Sequence, residues 1–191
     1  MIFQKVALAL VLTISFSAFS QSKYKSGSSE TIMTYIENDT IFSNKTLVEN
    51  LETIPQFSYA VKTLKESGVV IELESQEMFT VFVPVNSAFS SCTEEELKAL
   101  FASSNTVKLN EAMSFHFIPG RIDASSLENA LKRNKGTVTY KTISGNRIQF
   151  QKKGDAIFLI DSFGNSSQIM QTNLVHSKGY MHVVNGFLYS F

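Results

Sequence analysis

The chain has 191 residues, with 17 Lys and Arg against 17 Asp and Glu, and 43% of it is hydrophobic. Zero formal charge with only 18% charged residues excludes the basic face with which a nucleic-acid binder displaces phosphate counterions, and excludes a disordered charged tail. The size is that of one globular domain.

The N-terminus reads as an export signal. Lys5 supplies a positive start, Val6 to Ile14 an apolar stretch, and Ala18-Phe-Ser20 a small-x-small cleavage site before Gln21. The apolar run Val6 to Phe19 covers 14 residues and is interrupted by Thr13, Ser15 and Ser17, short of the roughly 20 needed to cross a bilayer as a helix. A buried N-terminal core helix is the competing reading. The polar Gln21 to Ser29 that follows has no helical period and favours the signal peptide. Residues 1–20 are therefore expected to be a signal peptide, 21–44 a polar leader and 45–191 the domain, in a secreted, periplasmic or cell-surface protein. Removal of the signal leaves 171 residues, enough to bury about 70% of the unfolded surface without a disulfide. Cys92 is the single cysteine, so no intrachain disulfide is expected, and it is far from the cleavage site, so it is not expected to be a lipid-bearing first residue.

Thr46 to Ile54 reads as a short helix. Pro55 starts a second, with Phe57, Ala60, Val61 and Leu64 on one face and Gly68 as its stop. Met78 to Pro84 is an apolar, β-rich run ended by proline, as in a buried strand, and Asn86 is placed to cap a helical turn over Ser87 to Phe89. Thr93-Glu-Glu-Glu96 is a capping box that predicts a helix with Leu97, Leu100 and Phe101 inward. Further helices are expected through Leu109, Ala112 and Met113 to Phe115, and from Asp123 as cap through Leu127, Ala130 and Leu131. The period then changes to two. Thr137 to Thr142 and Arg147 to Gln151 flank the turn Ser144-Gly-Asn146, and the turn Lys153-Gly-Asp155 leads into Ala156 to Ile160. After Gly164-Asn165, three short strands are expected around Gln168 to Thr172, Tyr180 to Val184 and Phe187 to Tyr189. The fold class is α+β, with helices first, antiparallel strands second, and one early strand that joins the later sheet.

Four segments resemble the fasciclin domain family. Thr80-Val-Phe-Val-Pro-Val-Asn-Ser-Ala-Phe89 is similar to its first signature, TVFAPTNEAF, departing at Val83, Val85 and Ser87. Phe115-His-Phe-Ile-Pro-Gly120 is similar to its central YH segment, with Phe115 for tyrosine, and Ser177 to Leu188 to its second signature, with Asn185 where aspartate is usual. The Thr46 to Leu64 helices resemble the family's opening pattern. The resemblance spans about residues 46–189. It implies a wedge-shaped β-sandwich with helices beside it, and a secreted or surface-attached, non-enzymatic module acting in adhesion and matrix contact. Thr80, Pro84, Asn86, Phe89, His116, Gly179 and His182 are the positions it marks as structural. In animal members an Asp-Ile pair and the YH segment are associated with integrin contact. Here those positions are Asn173, Leu174, Phe115 and His116, so the resemblance marks them as partner-binding positions without implying an integrin partner.

Chemistry-bearing residues each have a plainer reading beside the functional one. His116 lies between Phe115 and Phe117, and His182 in the alternating Tyr180 to Val184; both read as neutral core histidines, with a pH-sensitive contact as the alternative. With His176 they match no metal-ligand spacing, so no metal or cofactor is expected. Cys92, just before the Thr93 cap, is placed where helix amides lower a thiol pKa, against the reading of a bland thiol. There is no Gly-x-Ser-x-Gly elbow and no glycine-rich phosphate loop. Asp123, Asp155 and Asp161 are the carboxylates a secreted glycosidase would need in a facing pair, but Asp123 reads as a cap and Asp155 as a turn residue. The 13 phenylalanines beyond residue 20 read mostly as core, with Tyr24, Tyr35 and Phe191 in polar or terminal contexts as candidates for exposure. The expected partner is an extracellular protein or polysaccharide, with weak self-association to strengthen it. The alternative is a secreted small-ligand carrier or hydrolase on the same fold. Asn38, Asn44 and Asn165 lie in glycosylation sequons.

Overall fold

In the computed structural model, residues 30–90 and 92–188 are described; the expected signal peptide, Tyr24, Tyr189 and Phe191 lie outside them. The helices occupy the positions that their sequence signals indicate. Thr46 caps α1 (Leu47–Leu51): its hydroxyl accepts from Glu49 N at 3.2 Å, and the Glu49 carboxylate accepts from Thr46 N at 2.7 Å. A 3₁₀ turn, Pro55–Phe57, leads into α2 (Ser58–Ser67). Gly68, at φ 71°, ends α2 in the left-handed conformation that glycine accepts. It also starts α3 (Val69–Glu74), a short helix beyond the elements expected from the sequence. The capping box Thr93/Glu96 opens α4 (Glu94–Leu100), α5 is Thr106–Ser114, and Asp123 caps α6 (Ala124–Arg133) by accepting from Ser126 N at 2.6 Å.

The segment expected as leader is folded from Met33. Strands β1 (Met33–Ile36) and β2 (Asp39–Phe42) form a hairpin whose Ile36 and Ile41 are buried in the helical core. Asn50 of α1 fastens it, accepting from Phe42 N at 2.8 Å and donating to Phe42 O and Thr46 O at 3.0 Å. The hairpin also shields an open stretch of the main sheet through side chains: Gln171 Nε2 donates to Tyr35 O at 2.6 Å, and Val175 N to Thr34 Oγ1 at 3.2 Å. Tyr35 itself is exposed.

The main sheet has seven strands: β3 (Phe79–Pro84), β4 (Phe117–Pro119), β5 (Thr137–Lys141), β6 (Arg147–Lys153), β7 (Ala156–Ile160), β8 (Ser166–His176) and β9 (Gly179–Val184), in the order β4-β3-β9-β8-β7-β6-β5. The early strand β3 joins the later ones as expected, parallel to β9 and antiparallel to β4. One long strand, β8, replaces the short strand expected around Gln168, and Phe187 and Leu188 are not in a strand. β8 pairs with β7 over Ser166 to Gln168 and with β9 from Ile169 onward, with register shifts between Ile169, Gln171 and Leu174. At these bulges the sheet changes partner, and its two halves face each other. Phe82, Ile118 and Val184 from one half share a core with Ile148, Phe150 and Leu159 from the other, the Phe82 and Phe150 ring centres being 5.0 Å apart.

Every residue of β3 is buried. Its odd positions, Phe79, Val81 and Val83, pack with the helical core, while Phe82 packs between the sheet halves. At about 1.5–3 kcal/mol for each large apolar side chain removed from water, this strand is the seam that joins the two cores. A third, smaller cluster of Phe89, Leu100 and Leu109 covers the end beside α4 and α5.

Candidate functional site

The positions marked as structural form the framework beneath any binding face. Thr80 Oγ1 donates to Gly120 O and accepts from Ile122 N, both at 2.8 Å, closing the loop after β4 onto β3. Pro84 ends β3, buried like the rest of that strand. Gly179 faces Phe79 across the parallel β3–β9 pair, where a Cβ would overlap the Phe79 carbonyl. Asn86 does not cap its own turn. Its Oδ1 accepts from Tyr59 N at 3.0 Å, and its Nδ2 donates to Pro55 O at 3.0 Å and to Ser58 Oγ at 2.9 Å. Asn86 therefore serves the start of α2 across space, a partner that neighbours in sequence could not reveal. Phe89 is buried with its ring 5.3 Å from that of Tyr59.

All three histidines are buried. The Phe82 carbonyl accepts from His116 Nδ1 at 2.7 Å, so Nε2 is the bare nitrogen and accepts from Leu188 N at 3.1 Å. Burial pushes the His116 pKa down to about 4, against the opposing pull of the Phe82 carbonyl and the Asp161 charge. His182 donates from Nε2 to Ile122 O at 2.8 Å and stacks on Phe82 at 5.2 Å. Burial lowers its pKa also, opposed by Ile122 and by Asp123. His176, 4.8 Å from the Phe79 ring, is likewise brought to about 4 by burial, partly offset by the Tyr180 backbone and reinforced by Arg121.

The four positions that the resemblance marks for partner binding do not form one patch. Phe115, at the C-terminal end of α5, packs in the core between the sheet halves, and Leu174 in the helical core. His116 lies inside, and only Asn173 is exposed. Asn173 sits at a β8 bulge with φ 64°, its Oδ1 accepting from Ala124 N at 2.8 Å at the start of α6.

Phe115 does reach one opening. A cleft of about 360 Å³ lies between α5 and the β7–β8 loop. Lys108, Glu111 and Ala112 line it from one face of α5, at spacings of three and four. Phe115 and Leu188 close it below, and Asn146 borders it from the β5–β6 turn. The β7–β8 loop contributes Asp161, Ser162 and Phe163. Phe163 is 69% exposed, and its ring stands edge-on to Phe115 at 6.3 Å. The loop is held by Asp161, which is buried: Oδ1 accepts from Phe163 N and Asn165 N at 2.9 Å, and Oδ2 from Asn165 Nδ2 at 2.8 Å. Among the sequence's carboxylate candidates, Asp161 is thus an anchor for a turn, as Asp123 is a cap. Phe163 was not singled out in the sequence. The Asp-x-x-Gly-Asn turn beside it is the signal that it could be held outside the core.

Among the described residues no group of His, Cys, Asp and Glu is arranged to hold a metal ion, and no helix is long and apolar enough to cross a membrane. Cys92 is half-buried, one residue before the Thr93 cap.

Comparison with known proteins places this geometry in a family. The chain is 26% identical over 143 residues to Protein sll1483 of Synechocystis, covering 75% of this chain and 72% of that one. It is 29% identical to human periostin over 147 residues, 77% of this chain but 16% of periostin. It is 22% identical to the pig transforming growth factor-beta-induced protein ig-h3 over 143 residues, 75% of this chain but 19% of ig-h3. In solved structures, the FAS1 domain pair of the insect cell adhesion molecule Fasciclin I superposes with a TM-score of 0.63 at 16% identity, over 84% of this chain and 67% of that one. The fasciclin domain profile matches residues 55–190, and the chain belongs to the fasciclin domain family.

Proposed function

We propose that the chain is a secreted or surface-attached, non-catalytic binding module that contacts an extracellular protein or polysaccharide and contributes to adhesion. The observation that carries this reading is a division of labour. Two of the histidines and one carboxylate that sequence reasoning singles out are committed to the framework, His116 and His182 to backbone carbonyls and Asp161 to its turn, while an aromatic ring, Phe163, is held out at the mouth of a cleft. Likeness to an insect cell adhesion molecule supports it. The signal-like residues 1–20 support export. In this reading the binding side is the cleft floored by Phe115, while His116 and Leu174 belong to the framework and Asn173 lies apart at the start of α6.

The test is to measure binding of the purified protein to intact producing cells and to arrays of extracellular glycans and matrix proteins, while following the same incubations for product. Saturable binding without turnover supports the module. Release of a hydrolysed product, or uptake of a small molecule without surface binding, replaces it with the hydrolase or carrier.

A further inference from the structure

Phe163 is an anomaly in energetic terms. A large aromatic ring left in water forgoes about 1.5–3 kcal/mol of burial, yet the chain spends a buried carboxylate and two backbone N–H groups to fix the turn that holds it out. A floppy loop would let the ring fold back against Phe115 and Leu188. The Asp161 turn keeps it as a wall of the cleft, with Phe115 presented edge-on below. A ring held rigidly before binding loses little conformational entropy when a ligand arrives.

The remaining lining decides what that ligand is. The cleft volume of about 360 Å³ lies within the roughly 300–1,000 Å³ of small-ligand sites. Its sides carry Lys108, Glu111, Asn146 and Ser162, a mixture of donors and acceptors with no excess of positive charge, over an apolar floor of Ala112, Phe115 and Leu188. The Asp161 oxygens are already engaged by N–H donors. A ligand with a C–H face for the Phe163 ring and hydroxyls around its edge matches every part of this lining. The aromatic face is negative and attracts weakly positive C–H edges, and the amide, hydroxyl and charged groups can hydrogen-bond alcohols. An anionic sugar would meet Glu111 and Asp161 with only Lys108 to offset them.

We propose that the cleft between α5 and the β7–β8 loop is a carbohydrate site for a neutral pyranose unit, with Phe163 as the stacking platform. This rests on the reading of the chain as a binding module and names its ligand class. The probes are cello-, xylo-, manno- and chito-oligosaccharides, with oligogalacturonate as the anionic control, titrated to about 10 mM against the purified protein by calorimetry and amide chemical shifts. One neutral series should bind and shift the amides of Glu111, Ser162 and Phe163. Phe163→Ala should weaken it at least about tenfold, Phe163→Trp should retain it, and oligogalacturonate should bind at least about tenfold more weakly. Melting midpoints of both variants confirm that they fold. The proposal is overturned if no neutral series binds, or if Phe163→Ala binds as tightly as the parent. A folded Phe163→Ala protein that loses a matrix protein while neither form binds sugar also overturns it, yet leaves the binding-module reading standing. Absence of binding to sugars, matrix proteins and cells alike overturns both.

Discussion

The β3–β9 seam and the rim of the α5/β7–β8 cleft meet at Phe115, and they use polar groups in opposite ways. Along the seam, side-chain polar atoms turn inward and complete the backbone: Thr80 serves Gly120 and Ile122, His116 serves Phe82 and Leu188, His182 serves Ile122. At the rim, the Asp161 carboxylate turns inward so that Phe163 can face out. The first arrangement is needed to make the fold at all, because each buried polar group left unpaired costs about 1–3 kcal/mol. The second fixes one surface turn, and in the proposed reading it holds the ring that meets the ligand. The family's signature residues and the rim residues proposed to meet a ligand are thus different residues.

This contrast predicts that seam changes destroy folding and rim changes spare it. The largest effect should come from Gly179→Ala, since the added Cβ runs into the Phe79 carbonyl and that contact is backbone against backbone. A loss of more than about 4 kcal/mol is expected, seen as loss of a cooperative melting transition. A melting midpoint within a few degrees of the parent would show that β3 and β9 can part at that point, and would end the claim that the seam is rigid.

The histidines sharpen the comparison through pH. His116 and His176 titrate at about 4 when folded, against about 6.5 in an unfolded chain. Between those values the unfolded chain binds more protons, so stability is fully present above pH 6.5, falls as pH drops towards 4, and is insensitive to these groups below that. Each contributes on the order of 3 kcal/mol across the window. Guanidinium midpoints should be nearly level from about pH 7.5 to 6.5 and then fall towards about pH 4.5. Asp123 and Glu49 contribute mainly below this range, because amide and hydroxyl donors at Ser126 and Thr46 hold their carboxyls below the usual carboxylate range, so their stabilisation is lost as pH falls from 3.8 and 4.5 downward. A flat profile over that range would mean that the histidines are hydrated, and that the seam is not the dry framework described.

Two smaller changes separate rim from seam. Asp161→Ala removes three acceptor contacts at 2.8 to 2.9 Å from the turn and should cost about 2 kcal/mol, while the protein stays folded and the Phe163 and Asn165 amides exchange faster with solvent. Unchanged exchange would show that the turn holds its shape without the carboxylate. Thr46→Ala deletes one half of the capping box of α1 and should cost about 1 kcal/mol, measured as a shift in denaturant midpoint without change in its slope. A larger loss would mean that α1 carries the β1–β2 hairpin with it.

How far the sequence disclosed each region follows the same division. Periodicity and caps are local signals, and the caps Thr93 and Asp123 and the β5–β6 hairpin are legible from them, whereas Thr46 reads as part of α1 and proves to be its cap. The β1–β2 hairpin was not, because only Ile36 and Ile41 turn fully into the core from two four-residue strands, and the polar residues around them read as linker. Asn86 was read as a local cap because its partners lie 27 to 31 residues away. α3 was hidden by Gly68, which ends one helix and begins the next at the same φ. In the cleft, the sequence raised Asp161 and Phe115 separately, but nothing local connects α5 to the β7–β8 loop.

The smallest stability effect belongs to Phe163→Ala. The ring is 69% exposed, so the substitution removes little buried area, and its edge contact with Phe115 is worth about 0.5–1.5 kcal/mol at most. The part of the ring that is exposed in the folded state is exposed in the unfolded chain too, so it does not enter the difference. The expected change in folding free energy is therefore within about 0.5 kcal/mol of zero, read as coincident denaturation curves. A loss near 2 kcal/mol would show that Phe163 seals the core over Phe115 and Leu188, making it part of the framework. In that case the distinction between seam and rim fails at the one residue chosen to represent the rim. Coincident curves would instead leave binding as the reason an aromatic ring stands in water on a turn built to hold it there.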